Sequence, residues 1–319
     1  MDKKYKAICM DTRQLRYFVK VVESGSLTHA ALALHVAQSA LSTHMRNLED
    51  GLGVRLLDRS KSGVTPTVHG SLLLEHARKI LRQIGQAQQD VMSLGVEPFG
   101  KIVVGMPATL TPIVIAPLLR KISKTMPKVS PHVVEAMSGF LLEWLRAGRL
   151  DAAILFDVQD TRGLNKTVIG VEPMYLVGPS GAFGKGAKVQ FADLPKYPLI
   201  IPGRMHGIHM LIRRAAATEN VDLDVRVEVD AVAEMVGLVK QGLGYTLLAR
   251  MGFHRELAER SVSAAYVVDP QIQRTLISAT VASRPESPAL QAVLEAIRES
   301  VADFIDTSGT SLGRRHPKA

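Results

Sequence analysis

Gln38, Ser39, Ser42, Thr43 and Arg46 crowd one short stretch near the N-terminus. These are side chains with which proteins read DNA. A glutamine amide can bond bidentately to adenine, and serine and threonine hydroxyls can bond several base edges or touch the thymine methyl. An arginine bonded to phosphate fixes register without reading sequence. Shortly downstream, Arg59, Ser60, Lys61, Ser62 and Gly63 make a basic turn suited to the phosphate backbone. A second polar set lies far along the chain: Thr109, Thr111, Ser138, Gly203, Arg204 and His206. Hydroxyls and backbone N–H groups at helix starts, with a guanidinium beside them, suit a small carboxylate. Serine and threonine are also the preferred helix caps, so a purely structural role weighs equally.

Other chemistry finds little support. His206 and His209 are spaced to share a helix face, but no cysteine or acidic cluster completes a metal site. There is no glycine-rich phosphate loop ending in lysine and no nucleophile elbow. The expectation is no catalytic residue, no metal, no cofactor and no enzyme.

The elements that must position the first set follow from periodicity. Leu15, Phe18, Val19 and Val22 form one stripe of an amphipathic helix, capped by Asp11 and Thr12 and closed by Gly25. Ser26 is placed to cap a second helix whose inner face carries Ala30, Ala31 and Leu34. His35 and Val36 make the turn. A third helix runs from about Gln38 to Asp50, with Ala37, Leu41, Met45 and Leu48 along one side. At about 100° per residue, Ser39, Ser42, Thr43 and Arg46 fall opposite, and Gln38 lies at the N-terminal end. Ala30, Ala31, Ala37 and Ala40 allow the helices to cross closely. This is helix-turn-helix patterning, and the basic turn that follows reads as a wing between two short strands. From Thr67 to about Ser93 the chain is expected to be one long helix. Its stripe of Leu72, Leu73, Ala77, Ile80, Leu81, Ile84, Ala87, Val91 and Leu94 needs a partner, best supplied by a second copy of the chain.

The remainder alternates strand and helix. Glu97–Gly100 reads as a hinge. Strands are expected at Ile102–Val104, His132–Glu135 and Asp151–Leu155, with helices around Pro112–Thr125 and Phe140–Ala147. A second set has strands near Met174–Val177, Leu199–Ile201, Val225–Val229 and Tyr245–Leu248, with helices near Ile208–Thr218 and Val232–Gly242. A strand at Thr275–Val281 and a helix at Pro288–Phe304 then return to the first lobe. The pattern predicts a mostly parallel sheet in two lobes with a cleft between them. Ligands of such sheets bind beyond the carboxyl ends of strands.

Charge and composition agree. The chain has 319 residues and a net charge of +9. Residues 1–93 carry 13 lysines and arginines against 8 acidic residues, an excess of +5, leaving +4 for a segment more than twice as long. Such a patch attracts polyanions. No apolar run reaches the roughly 18 residues needed to span a bilayer, so no membrane partner is expected. The single cysteine, Cys9, allows no internal disulfide, and the basic start lacks a signal core. A cytoplasmic location is therefore expected.

On these residues the chain resembles the LysR-type transcriptional regulators. The matching positions are Leu15, Phe18, Ser26, Ala30, Ala31, Leu34, Gln38, Ala40, Leu41, Ser42, Leu48, Glu49, Leu52, Gly53, Leu56, Leu57, Arg59, Thr67 and Gly70. Further pieces are Gly148–Ile154 and Gly242–Leu247. The phrasing of residues 13–27, 63–67 and 77–83 is most similar to the nitrogen-assimilation-control branch. Three positions depart from the family. Ser39 stands where proline is usual, Ser62 where a second wing arginine is common, and Ala249 where a proline follows a strand. The family start corresponds to Met10.

The resemblance implies an α/β chain in five parts. Residues 1–9 form a disordered extension, 10–67 a winged helix-turn-helix and 68–96 a linker helix with hinge. Residues 97–305 form a two-lobed effector domain similar to periplasmic binding proteins, with lobe I at 101–171 and 275–305 and lobe II at 172–274. Residues 306–319 form a disordered tail. It implies a regulator that binds promoter DNA as a dimer or tetramer, contacts RNA polymerase, and meets effectors at the positions of Thr109 and Thr111. The nitrogen-assimilation branch implies action without a co-inducer. A small-molecule binding protein whose N-terminal part only dimerises is the competing class. Replacing Ser42 is expected to change sequence preference, and replacing Arg59 to weaken binding to all sequences.

Overall fold

The computed structural model describes residues 10–60, 63–92, 98–156 and 160–307. The extension before Met10, Lys61 and Ser62 of the wing, Leu94 and Glu97, and the tail from residue 308 lie outside the described residues. Two compact units divide near residue 95.

The first unit opens with helix α1 (Thr12–Ser24), started by a full capping box between Asp11 and Gln14 and closed by Gly25 at φ 60°. Helix α2 (Leu27–Leu34) is capped by Ser26, and His35 turns the chain in the left-handed region. The Val36 N–H then bonds back to the Ala31 carbonyl, which makes the turn tight. Helix α3 (Gln38–Leu52) follows. Phe18, Val21, Ala30, Ala31, Leu41, Met45, Leu48, Leu56, Leu57 and Val64 form the shared core. Only Ala30 and Ala31 of the four expected small contacts are buried. Ala37 and Ala40 are exposed.

Strands β1 (Leu57–Ser60) and β2 (Gly63–Pro66) pair antiparallel with Leu57 opposite Pro66 and Ser60 opposite Gly63. Helix α4 spans Val68–Met92. The Thr67 hydroxyl starts it, accepting from the Gly70 N–H while donating to the Arg55 carbonyl. Leu73 and Leu74 pack on the helix-turn-helix core, and Ala77 is buried. Leu72 and Val91 remain 58% and 71% exposed, so the stripe is only partly used within one chain.

The second unit is a mixed α/β structure. Its strands and helices run in chain order as β3 (Gly100–Met106), α5 (Thr111–Thr125), β4 (Val129–Glu135), α6 (Ser138–Arg146), β5 (Ala152–Phe156), β6 (Leu164–Pro179), β7 (Lys188–Gln190), β8 (Leu199–Ile201), α7 (Gly207–Thr218), β9 (Val225–Glu228), α8 (Val232–Lys240), β10 (Thr246–Ala249), α9 (His254–Ala258), β11 (Val262–Val268), β12 (Gln273–Val281) and α10 (Pro288–Thr307). The large sheet has the order β4-β3-β5-β12-β6-β11-β7, with β10 also on β6, while β8 and β9 pair separately.

The sheet is mixed rather than mostly parallel. β12 runs antiparallel to both β5 and β6, and β10 and β11 run antiparallel to β6. The sequence pattern found only Met174–Val177 of the sixteen-residue strand β6. In its first half, Asn165, Lys166 and Thr167 are exposed and polar and Val168 is exposed, and the segment is held as a strand by pairing with β12 rather than by an apolar run. Strand β11 was also missed, although Val262, Tyr266, Val267 and Val268 are strand-favouring residues. Helix α10 continues to Thr307, two residues into the segment expected as tail.

Three apolar clusters fill the lobes: one centred on β3, α5 and α10 and a smaller one on α6, β5 and β12 in lobe I, and one on β6, β10, α7 and α8 in lobe II. β6 and β12 cross between the lobes side by side.

Candidate nucleic-acid interface and inter-lobe cleft

Burial of Leu41, Met45 and Leu48 against α1 and α2 decides which side of α3 faces outward. Gln38, Ser39, Thr43 and Arg46 are exposed on that side, and Ser42 is half-buried at its edge. The hydroxyls are not equivalent. Thr43 Oγ1 donates to the Ser39 carbonyl at 3.0 Å, so its proton is already used. Ser42 Oγ instead accepts from Arg59 Nη1 at 3.2 Å. Arg59 therefore lies against the recognition helix rather than pointing away along the wing.

Two clamps fix the wing. Glu49 Oε1 accepts from the backbone N–H groups of Leu56 and Leu57 at 2.8 and 3.1 Å, joining α3 to the root of β1. The Val64 N–H bonds the Gly25 carbonyl at 2.8 Å, joining β2 to the end of α1. Gly63, at φ 130°, admits that contact, since a Cβ there would sit 2.7 Å from the Gly25 oxygen. Arg46, Arg55 and Arg59 surround a polar hollow of about 730 Å³ together with Glu49, Asp50 and Asp58. Arg55 was not singled out from sequence. Its signal is weak, a single basic residue at the entry to the wing. Lys61 lies outside the described residues.

In the second unit a cavity of about 630 Å³ opens between the lobes, beyond the carboxyl ends of β3, β4, β5 and β9. Three of the six polar residues expected there line it: Thr109, Ser138 and His206. Thr111, Gly203 and Arg204 do not. Thr111 sits inside the first turn of α5. The Gly203 N–H is held by Asp230 Oδ1 at 2.9 Å, and Arg204 is exposed. The hydroxyls of Thr109 and Thr111 are both buried without a partner among the described residues. Ser138 Oγ accepts from the Phe156 N–H, tying the start of α6 to the end of β5.

His206 caps α7, its Nδ1 accepting from the Ile208 N–H at 3.2 Å. Burial first, then the nearby Arg274 charge, holds its pKa below the usual histidine range. His209 Nδ1 donates to the Pro202 carbonyl. The two histidines thus serve the local backbone.

The floor of the cleft holds a pair that sequence reading missed. Arg274 and Glu172 are register partners on β12 and β6, 2% and 1% exposed, bonded at 2.7 and 3.0 Å. Glu172 also accepts from the Met251 N–H, and the Arg274 guanidinium lies 3.8 Å over the Phe156 ring. Its signal was a glutamate interrupting the apolar residues around Val171 and Met174. Glu135, Asp230 and Glu256 also line the cavity, against Arg255 as the remaining arginine. With Arg274 neutralised by Glu172, the arrangement is poor in free positive charge.

Comparison with known proteins places these features. Residues 12–71 match the family described as "Bacterial regulatory helix-turn-helix protein, lysR family", and residues 96–302 match the "LysR substrate binding domain". The nitrogen assimilation regulatory protein nac of Klebsiella aerogenes is 31% identical over 287 residues, covering 90% of this chain and 93% of that one. The protein of the same name from Escherichia coli K12 is 32% identical over 293 residues, with the same coverage. Among solved structures, a full-length OxyR variant from Pseudomonas aeruginosa superposes with a TM-score of 0.72 at 24% identity, covering 92% of this chain and 97% of that one. Full-length CbnR complexed with its target DNA superposes with a TM-score of 0.66 at 23% identity, covering 91% and 100%.

Proposed function

This chain belongs to the LysR family of transcriptional regulators, and we propose that it binds promoter DNA as a dimer or a dimer of dimers through α3 and the β1–β2 wing. The observation that carries the reading is the outward row of Gln38, Ser39, Thr43 and Arg46 on a helix whose opposite side is locked into the core. Paired copies would present two such helices to half-sites roughly 34 Å apart, or a multiple of that. The exposed Leu72 and Val91 on α4 are the apolar surface available for pairing. Such a protein acts in the cytoplasm and, at the promoter, alongside RNA polymerase.

Footprinting the DNA upstream of its own gene tests this. Gln38→Ala is expected to change base preference at one position of each half-site. Arg46→Ala is expected to weaken binding to all sequences alike. A footprint unmoved by both substitutions overturns the assignment. Leu72→Lys is expected to shift sedimentation toward the monomer.

Two readings of the second unit differ in regulation. A small anion in the cleft would use the buried Thr109 hydroxyl. A regulator acting without a co-inducer, as the nitrogen-assimilation resemblance implies, is favoured by the internal pairing of Arg274 with Glu172 and by the exclusion of Thr111 and Arg204 from the cavity. Thermal-shift screening against small carboxylates separates them. A concentration-dependent rise in melting temperature that is lost in Thr109→Val supports the anion. No rise with any carboxylate supports the co-inducer-free reading.

A further inference from the structure

Arg59 and Ser42 come from different elements, yet their side chains meet, Nη1 to Oγ at 3.2 Å. A guanidinium has donors only, so the serine oxygen is the acceptor in this bond. A hydroxyl carries one donor and two acceptor sites. Accepting from a cation occupies one lone pair and polarises the O–H, and no bond from Ser42 to the helix backbone competes for its proton among the described residues. Thr43 is the reverse case: its proton goes to the Ser39 carbonyl, leaving lone pairs and a methyl. Adjacent hydroxyls on one helix are thus pre-set to opposite polarities. The Glu49 clamp on Leu56 and Leu57 holds β1 against α3, and Arg59, two residues beyond Leu57, lies on the same side of the strand.

We infer that Arg59 is a positioning residue for sequence readout. By donating to Ser42 it presets the Ser42 hydroxyl as a donor toward a major-groove acceptor, so the wing and the recognition helix read one base position jointly. Major-groove acceptors are guanine O6 and N7, thymine O4 and adenine N7, whereas cytosine offers only a donor. On the strand that Ser42 contacts, cytosine is therefore the disfavoured base, the acceptors of that pair lying on the guanine of the other strand. This rests on the DNA-binding reading of α3, but it differs from the ordinary expectation for a wing arginine, which is a phosphate contact without sequence information.

The test is selection from a randomised duplex library by the full-length protein, comparing wild type with Ser42→Ala, Arg59→Lys, Arg59→Met and the double variant S42A/R59M. The wild type is expected to enrich an acceptor-bearing base at the Ser42 position. S42A and R59M are each expected to relax preference at that same position by about fivefold, the worth of one hydrogen bond. The double variant should relax it no further, because the two changes remove one shared interaction. Arg59→Lys keeps a donor and is expected to retain part of the preference. If R59M does not fold, as judged by its melting curve, R59K and S42A carry the comparison. An operator carrying a base analogue without the acceptor should weaken wild-type binding and leave S42A unchanged. Loss of affinity for all sequences alike in R59M, with preference intact at every position, overturns the inference and leaves DNA binding standing. Enrichment of no sequence by the wild type overturns the DNA-binding reading and the inference with it.

Discussion

Ser39 shows how much one residue can separate stability from specificity. It occupies the second position of α3, where the backbone N–H has no partner within the helix, and its side chain is exposed. Proline is tolerated in the first helical turn. Ser39→Pro, the change toward the family pattern, is expected to move the melting temperature little and to alter the selected DNA sequence. A large drop in melting temperature would show that the serine has a structural role. His206 makes a pH-dependent case. Burial and the Arg274 charge favour the neutral form of its imidazole in the folded protein, with Asp230 opposing and His209 adding to the effect. Above about pH 6.5, the ordinary histidine pKa, folded and unfolded chains are both neutral here and nothing is gained or lost. As pH falls below that value the unfolded chain takes up a proton that the folded chain refuses, so stability declines until the lowered folded-state pKa is passed. His206→Asn keeps an acceptor for the Ile208 N–H and does not titrate. The wild type is expected to lose more thermal stability than H206N between pH 7 and pH 5. Parallel curves would count against it.

At the scale of elements, the helix-turn-helix was legible because each of its helices buries one stripe and the first two carry their own start residues, whereas α3 starts at Ala37 with no side-chain cap. Asp11, Gly25 and Ser26 act locally, so their spacing suffices. The wing was legible as a turn but not as a clamped element. What clamps it, Glu49 on Leu56 and Leu57, joins a helix to a strand, and periodicity carries no record of that. The junction of wing and linker helix is equally tight. A Cβ on Gly70 would lie 2.0 Å from the Leu56 carbonyl oxygen, a backbone atom that cannot swing away. Gly70→Ala is expected to destabilise the first unit by about 1–3 kcal/mol, the usual range for overpacking. A melting curve matching wild type would mean that α4 can shift on the wing root at no cost.

Across the whole second unit, β6 and β12 join the lobes, and Glu172 and Arg274 join those strands. A buried ion pair contributes little net stability over an apolar pair, but removing one partner strands the other charge at a cost of about 3–5 kcal/mol. Arg274→Met is expected to cost that much in urea unfolding. Adding Glu172→Gln removes the stranded charge while keeping an acceptor for the Met251 N–H, and should restore most of the loss. Equal stability of R274M and the double variant would show that the pair is not coupled. The same pair supplies Arg274 with an internal counter-charge.

By itself the sequence determined the class of the molecule. The recognition-helix residues, the caps, the long apolar stripe and the strand–helix alternation are local patterns, set by which side of one element is apolar. Only the tertiary structure decided which polar residues share a site. It left Thr111, Gly203 and Arg204 off the lining of the cleft cavity and brought Glu172 to Arg274 across 102 residues of chain. It also laid Arg59 on Ser42. The physical reason is common to all three. A hydrogen bond between distant segments depends on strand register and on the angle at which elements pack, and neither is written in the spacing of residues along one element.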